Sequence, residues 1–105
     1  MIPKVGEVFM IDLGYGGKVR PAIVVSRDDS NPPWPLSVLV PLTKQSRGSK
    51  HEVTPPRVPW LRLQSYANVL GMASVEHHEL VDKRGRFDAS VVKQIKDAIQ
   101  WTFDL

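Results

Sequence analysis

Residues 19–26 read Val-Arg-Pro-Ala-Ile-Val-Val-Ser, a short apolar run with one arginine at its mouth. β-Branched side chains are stiff at χ1 and fit a pleated surface, so a run this short and this branched is a strand. A strand end holds an arginine in a set place, and its planar guanidinium then becomes a ready fork for phosphate. Residues 36–43, Leu-Ser-Val-Leu-Val-Pro-Leu-Thr, repeat the pattern and end in a hydroxyl. Two adjacent strands of this kind would bring Arg20 and Thr43 to one edge and make a small anion site. Gly14-Tyr15-Gly16-Gly17 breaks the chain before the first run, and Pro32-Pro33-Trp34-Pro35 breaks it after. Glycines permit a close turn, while the prolines bar both helix and central strand.

The remaining segments follow the same logic. Val8 to Asp12 forms a strand, followed by strands from Pro21 to Ser26 and from Leu36 to about Val40. Thr43 to Lys50 lacks apolar periodicity and carries three cations, which marks a polar loop rooted at Thr43. His51 to Thr54 is a short strand and residues 55–61 are irregular, with X-Pro bonds that raise the question of a cis isomer. Ala67 to Val75 is strand-like, and Gly71 inside it signals a bulge or a close backbone approach. Glu79 to Lys83 continues the sheet before a turn at Arg84-Gly85-Arg86. The period then changes: Val91, Val92, Ile95, Ala98, Ile99 and Thr102 fall at three- and four-residue intervals, and Asp88 is placed to cap the resulting helix. The expected class is mainly β, with one helix packed at the C-terminus.

A chain of 105 residues is one domain with one core. Its formal charge of +3, with 14 Lys and Arg against 11 Asp and Glu, favours polyanionic partners. Nucleic acid is the first expectation. The absence of cysteine excludes disulfides and thiolate metal sites. No apolar run is long enough for a membrane span and the N-terminus does not read as a signal peptide, so the expected location is the cytoplasm.

Metal catalysis has little support, because adjacent His77 and His78 would point to opposite faces of a strand. No nucleophile-elbow or phosphate-cradling glycine motif occurs either. RNA carries its own nucleophile, the 2′-OH, so an enzyme acting on it need only align that group, stabilise the phosphorane and move protons. Arg20 and Thr43 suit the stabilising role. Arginine is too basic to be a general base at neutral pH, which makes His77 or His78 the candidate for proton transfer. The plainer alternative is that Arg20 pairs with a carboxylate such as Asp12.

Gly6-Glu7-Val8, Asp12-Leu13-Gly14, Arg20-Pro21-Ala22-Ile23-Val24-Val25-Ser26, Val40-Pro41-Leu42-Thr43 and the closing helix together resemble the MazF/PemK (Kid) toxins of bacterial type II toxin–antitoxin systems. The likeness runs over nearly the whole chain. It implies a small SH3-like barrel with a C-terminal helix, a homodimer, and a cognate antitoxin as partner. The implied activity is cleavage of single-stranded mRNA without metal or other cofactor, leaving 2′,3′-cyclic phosphate and 5′-hydroxyl ends. Arg20 and Thr43 fall on the family's catalytic arginine and threonine. Tyr15, Lys18, Lys44, Gln45, Ser46 and Arg47 flank them as candidate RNA contacts. Two departures stand out: the turn from Gly14 to Val19 is short, and Glu76-His77 replaces the Glu-Gln of many members, which adds His77 as a proton-transfer candidate.

Two other readings use different surfaces. A gyrase-binding toxin of the CcdB type shares the fold and would act through Trp101 to Leu105, with Arg20 and Thr43 dispensable. A non-cleaving RNA-binding module would keep the charged groove alone. Among the aromatics, Phe9 and Trp60 read as core, and Trp34 is expected to be buried against the body of the fold, with exposure for stacking on RNA or contact with an antitoxin as the alternative. Spacing does not decide whether Trp101 and Phe103 pack or protrude.

Overall fold

The computed structural model of the chain describes residues 2–12 and 18–105, so the glycine turn and Tyr15 lie outside the described residues. Its strands are β1 (Glu7–Asp12), β2 (Val19–Val24), β3 (Leu36–Thr43), β4 (Glu52–Val53), β5 (Tyr66–Asn68), β6 (Ala73–Glu76) and β7 (Lys83–Arg86). One helix, α1 (Ala89–Thr102), closes the chain. Asp88 caps it as the sequence predicts, accepting from the amides of Ser90 and Val91 and so satisfying two of the helix's free donors.

The sheet is antiparallel and runs β4-β5-β3-β2-β1-β7, with β6 also paired to β3. The mainly-β expectation holds. The two ends of this path, β4 and β7, do not pair, so among the described residues the sheet stays open instead of closing into a barrel. β3 organises it. One of its edges pairs with β2, while the other pairs with β6 along Leu36–Leu39 and with β5 at Leu42–Thr43. A 3-10 turn at Val69–Gly71 carries the chain from one ladder to the other, so the segment read as one strand is two. Pro41 sits at the gap between these ladders, with its ring 2.8 Å from where a side chain on Gly71 would begin. Its missing N–H is tolerated where pairing is already interrupted.

Strand alternation divides the sheet into two faces. Val8, Ile23, Val40, Leu42 and Ala67 point to the side covered by α1, where Val91, Val92, Ile95 and Ala98 meet them. Phe9, Ile11, Ala22, Val24 and Leu39 point the other way and form a smaller cluster with Val75 and Leu80. Burial of each such side chain contributes about 1.5–3 kcal/mol, which makes the helix-covered face the main source of stability.

Three expectations are corrected. Arg84-Gly85-Arg86 belongs to β7, which pairs with β1, because Gly85 lets the strand pass directly under the Trp60 ring. Glu79 to Lys83 does not continue the sheet: Glu79 ends a 3-10 turn that starts at His77, residues 80–82 are not strand, and the sheet resumes at Lys83. Trp34 is 71% exposed, since the proline loop holds it off the body of the fold. The X-Pro bonds of the described residues are all trans.

Glu7 ties the N-terminal segment to β7. Its carboxylate accepts from the Lys4 amide at 2.6 Å and from Lys83 Nζ at 2.8 Å. Burial pushes its pKa up, but these partners outweigh burial and hold it below the ordinary glutamate value. Beside it, Gly6 adopts φ +90, and a Cβ there would meet the Phe87 carbonyl at 2.7 Å. Replacing Gly6 with alanine therefore strains the backbone and the contact together. Gly6→Ala is expected to lower the free energy of unfolding by about 2 kcal/mol or more, read as an earlier midpoint in urea.

Candidate active site

The register of β2 against β3 positions the site. Ala22 stands opposite Pro41, Ile23 opposite Val40 and Val24 opposite Leu39. The paired stretch ends at Ala22–Pro41; continued two residues beyond it, the same register would bring Arg20 across from Thr43. Directly opposed residues of an antiparallel pair share a face. Leu42 and Ile23 point towards the helix, so Thr43 and Arg20 point away from it. On the other flank Arg20 is opposite Ile11, which belongs to the smaller apolar cluster. Thr43 in turn is opposite Tyr66. Ile11 with Arg20 on β1–β2, and Thr43 with Tyr66 on β3–β5, thus make two paired halves of a row along the end of the uncovered face.

Arg20 is half-buried, and its Nε is shut off from solvent with no hydrogen-bond partner. Leaving a buried donor unmet costs about 1–3 kcal/mol, more when it carries charge. Among the described residues it is the one side-chain atom left so. The carboxylate weighed as its partner, Asp12, is opposite Val19 and thus out of step with Arg20. Thr43 donates to the carbonyl of Gln45 at 3.0 Å and reaches that of Tyr66 at 3.3 Å, which locks its hydroxyl at the strand end. A guanidinium nitrogen in want of an acceptor and a positioned hydroxyl suit a tetrahedral anion.

The loop after Thr43 is built on Glu52. Its carboxylate accepts from Ser46 Oγ, from the Arg47 amide at 3.1 Å and from Ser49 Oγ at 3.5 Å. Ser46 Oγ in turn accepts from the Gly48 amide at 3.0 Å. The Ser46 hydroxyl, followed by the Arg47 amide, holds the Glu52 pKa below its ordinary value. Lys44, Gln45, Ser46 and Arg47 are all exposed, as is Lys18 at the entrance to β2. Cations therefore flank the row on the side of Thr43. Sequence reasoning missed the role of Glu52, whose only signal is its place just beyond a serine-rich turn.

His77 is not brought to this row. Its Nε2 lies 2.9 Å from Ser37 Oγ, and Ser37 sits near the start of β3 while Thr43 ends it. Six residues of strand separate them by about 20 Å. The proton-transfer part expected of His77 therefore has no geometry within this chain. His78 is exposed and pairs with Glu76. Among the described residues, no three His, Cys, Asp or Glu side chains are placed to hold a metal ion. No helix among them is long and apolar enough to cross a membrane.

A sequence profile of the PemK-like, MazF-like toxins of type II toxin–antitoxin systems matches residues 4–103. The chain belongs to this family. Among solved MazF-like folds, it is 26% identical to an endoribonuclease from a mycobacterial species, determined in complex with its cognate antitoxin. The TM-score is 0.84, over 98% of this chain and 96% of the other. A second mycobacterial endoribonuclease is 25% identical, with TM-score 0.82 over 100% of this chain and 94% of that one. MazF of Deinococcus radiodurans, at 20% identity, shares the fold with TM-score 0.82 over 100% and 99% of the two chains. Among curated protein sequences none matches significantly. In this MazF-like chain, Arg20 and Thr43 both lie on the face turned away from the helix.

A carboxyl whose folded pKa is lowered stabilises the structure above its unfolded value and loses that effect as pH falls through the folded value. Amide protection at Arg47 and Gly48, measured against the intrinsic exchange rate at each pH, is therefore expected to be present near neutral pH and to be lost below the ordinary glutamate range. Glu52→Gln should weaken that protection at neutral pH while leaving exchange in α1 unchanged, as hydrogen-exchange mass spectrometry would report.

Proposed function

We propose that this MazF-like toxin is an endoribonuclease that cuts single-stranded mRNA by attack of the ribose 2′-OH on the adjacent phosphorus. The P–O5′ bond breaks as the new P–O2′ bond forms, leaving a 2′,3′-cyclic phosphate and a 5′-hydroxyl. The 2′-oxygen loses its proton and the departing 5′-oxygen gains one, so no oxidant, metal or cofactor enters the balance. The observation that carries this reading is the half-buried Arg20 guanidinium, its Nε without an acceptor, on the same face of the sheet as the fixed Thr43 hydroxyl.

In this mechanism the Arg20 guanidinium neutralises the charge that grows on the phosphorane oxygens. A donor held in place beforehand and partly screened from water acts there without reorganisation. Thr43 adds a neutral hydrogen bond to the same oxygens and gives up its bond to the Gln45 carbonyl in doing so. Lys18, Lys44 and Arg47 hold the neighbouring phosphates, while Gln45 and Ser46 lie along the same path. The chain acts as a homodimer in the cytoplasm, where its substrate is.

A cognate antitoxin is the second partner. The mycobacterial endoribonuclease that shares this fold was determined with its own antitoxin. The basic surplus of the present chain would steer an acidic, disordered antitoxin tail towards the exposed loop cations.

Purified protein incubated with a long single-stranded RNA in excess chelator should cut it and leave cyclic phosphates. Arg20→Ala should lose about 10²- to 10³-fold in cleavage rate, and Thr43→Val about tenfold, with unchanged circular dichroism. Intact RNA with the parent protein would reject the nuclease. Attention would then move to the helix end, where Trp101 and Phe103 are more than half exposed.

A further inference from the structure

Tyr66 stands directly across from Thr43, one strand further along the row that holds Arg20. Its neighbour Ala67 points into the helix-covered core with Leu42, so Tyr66 points to the uncovered face with Thr43. Neighbouring strands lie about 4.8 Å apart, which sets Tyr66 about 5 Å from Thr43 at the backbone, with β2 and Arg20 on the other side of β3. The side chain is only half-buried. The ring–ring contacts of the described residues are Trp60 with Phe87 and His51 with Trp101, so no aromatic ring among them stacks on Tyr66.

We infer that Tyr66 is a stacking platform for the base of a nucleotide next to the scissile phosphate, and so a substrate-binding residue of this nuclease. The inference rests on the reading of Arg20 and Thr43 as the phosphate site. Cleavage by the 2′-OH needs a single-stranded substrate with its bases splayed out, and such bases are held on aromatic faces. A phosphate lodged between Arg20 and Thr43 leaves the adjoining base over β5, where Tyr66 offers the one aromatic face of that strand. Every base has a π-face, so the contact adds affinity for single strands while the cations and loop polar groups supply the other contacts.

The test is binding, kept separate from cleavage. The probe is a pool of short 2′-O-methyl oligonucleotides of randomised sequence carrying 2-aminopurine, whose fluorescence is quenched on stacking and which lack the attacking hydroxyl. The parent is expected to bind and to quench. Tyr66→Leu, which keeps apolar bulk but has no π-face, should bind about fivefold or more weakly without quenching. Tyr66→Phe should match the parent in both.

Equal affinity and quenching with leucine would overturn the inference. A phenylalanine variant as weak as the leucine one would overturn it too, since the hydroxyl and not the ring would then be at work. No binding by the parent would likewise reject it. Should the parent bind and quench but fail to cut unmodified RNA, the nuclease reading falls while these binding data still decide the role of Tyr66.

Discussion

Everything at the candidate site depends on the pairing of β2 with β3. Both strands are short and each carries one polar residue at an otherwise apolar end, so their register alone decides whether those residues meet. Ile23 opposite Val40 sets it, because both must point into the core under α1. A slip by one residue would turn an apolar set out of the core on every strand concerned, which makes the register stiff. The nearness of the Arg20 end of β2 to the Thr43 end of β3 is thus maintained by burial of core residues.

The division of labour between the two faces follows. One face is closed by the helix and carries most of the stabilising burial. The other has a smaller cluster of Phe9, Ile11, Ala22, Val24, Leu39, Val75 and Leu80, and its edge stays open for the polar row. A buried guanidinium nitrogen with no partner is a local cost that the core can absorb. In the proposed mechanism the same arrangement keeps the group ready for an incoming anion. Glu52 serves the site from outside, since its carboxylate shapes the loop that presents Lys44 to Arg47.

Much of this was legible in the sequence, because short β-branched runs between glycine and proline breaks can hardly be anything but strands, and the helix with its Asp88 cap carries a strong period. The placement of Arg20 and Thr43 at strand ends was legible for the same reason. What escaped lies where local composition and tertiary pairing conflict. Arg84-Gly85-Arg86 has the look of a turn but is a strand, since β1 offers a free edge and Gly85 makes room for Trp60. Ala67–Val75 looks continuous, yet the shift between two ladders on β3 breaks it at Gly71. His77 looked catalytic by its chemistry, but the length of β3 removes it from the row. Tyr66 escaped notice because the strand signal began one residue later. The short turn with Tyr15 lies outside the described residues.

The central claim is that Arg20 is the anion-receiving group of this toxin. It is tested most directly by following the arginine Nε–H resonances in nitrogen-15 NMR while titrating the protein with a non-cleavable 2′-O-methyl RNA. The account predicts that the Arg20 Nε–H signal shifts downfield and becomes protected from exchange, together with a shift of the Thr43 amide. An unmoved Arg20 signal, with changes confined to Trp101 and Phe103 at the end of the helix, would contradict it.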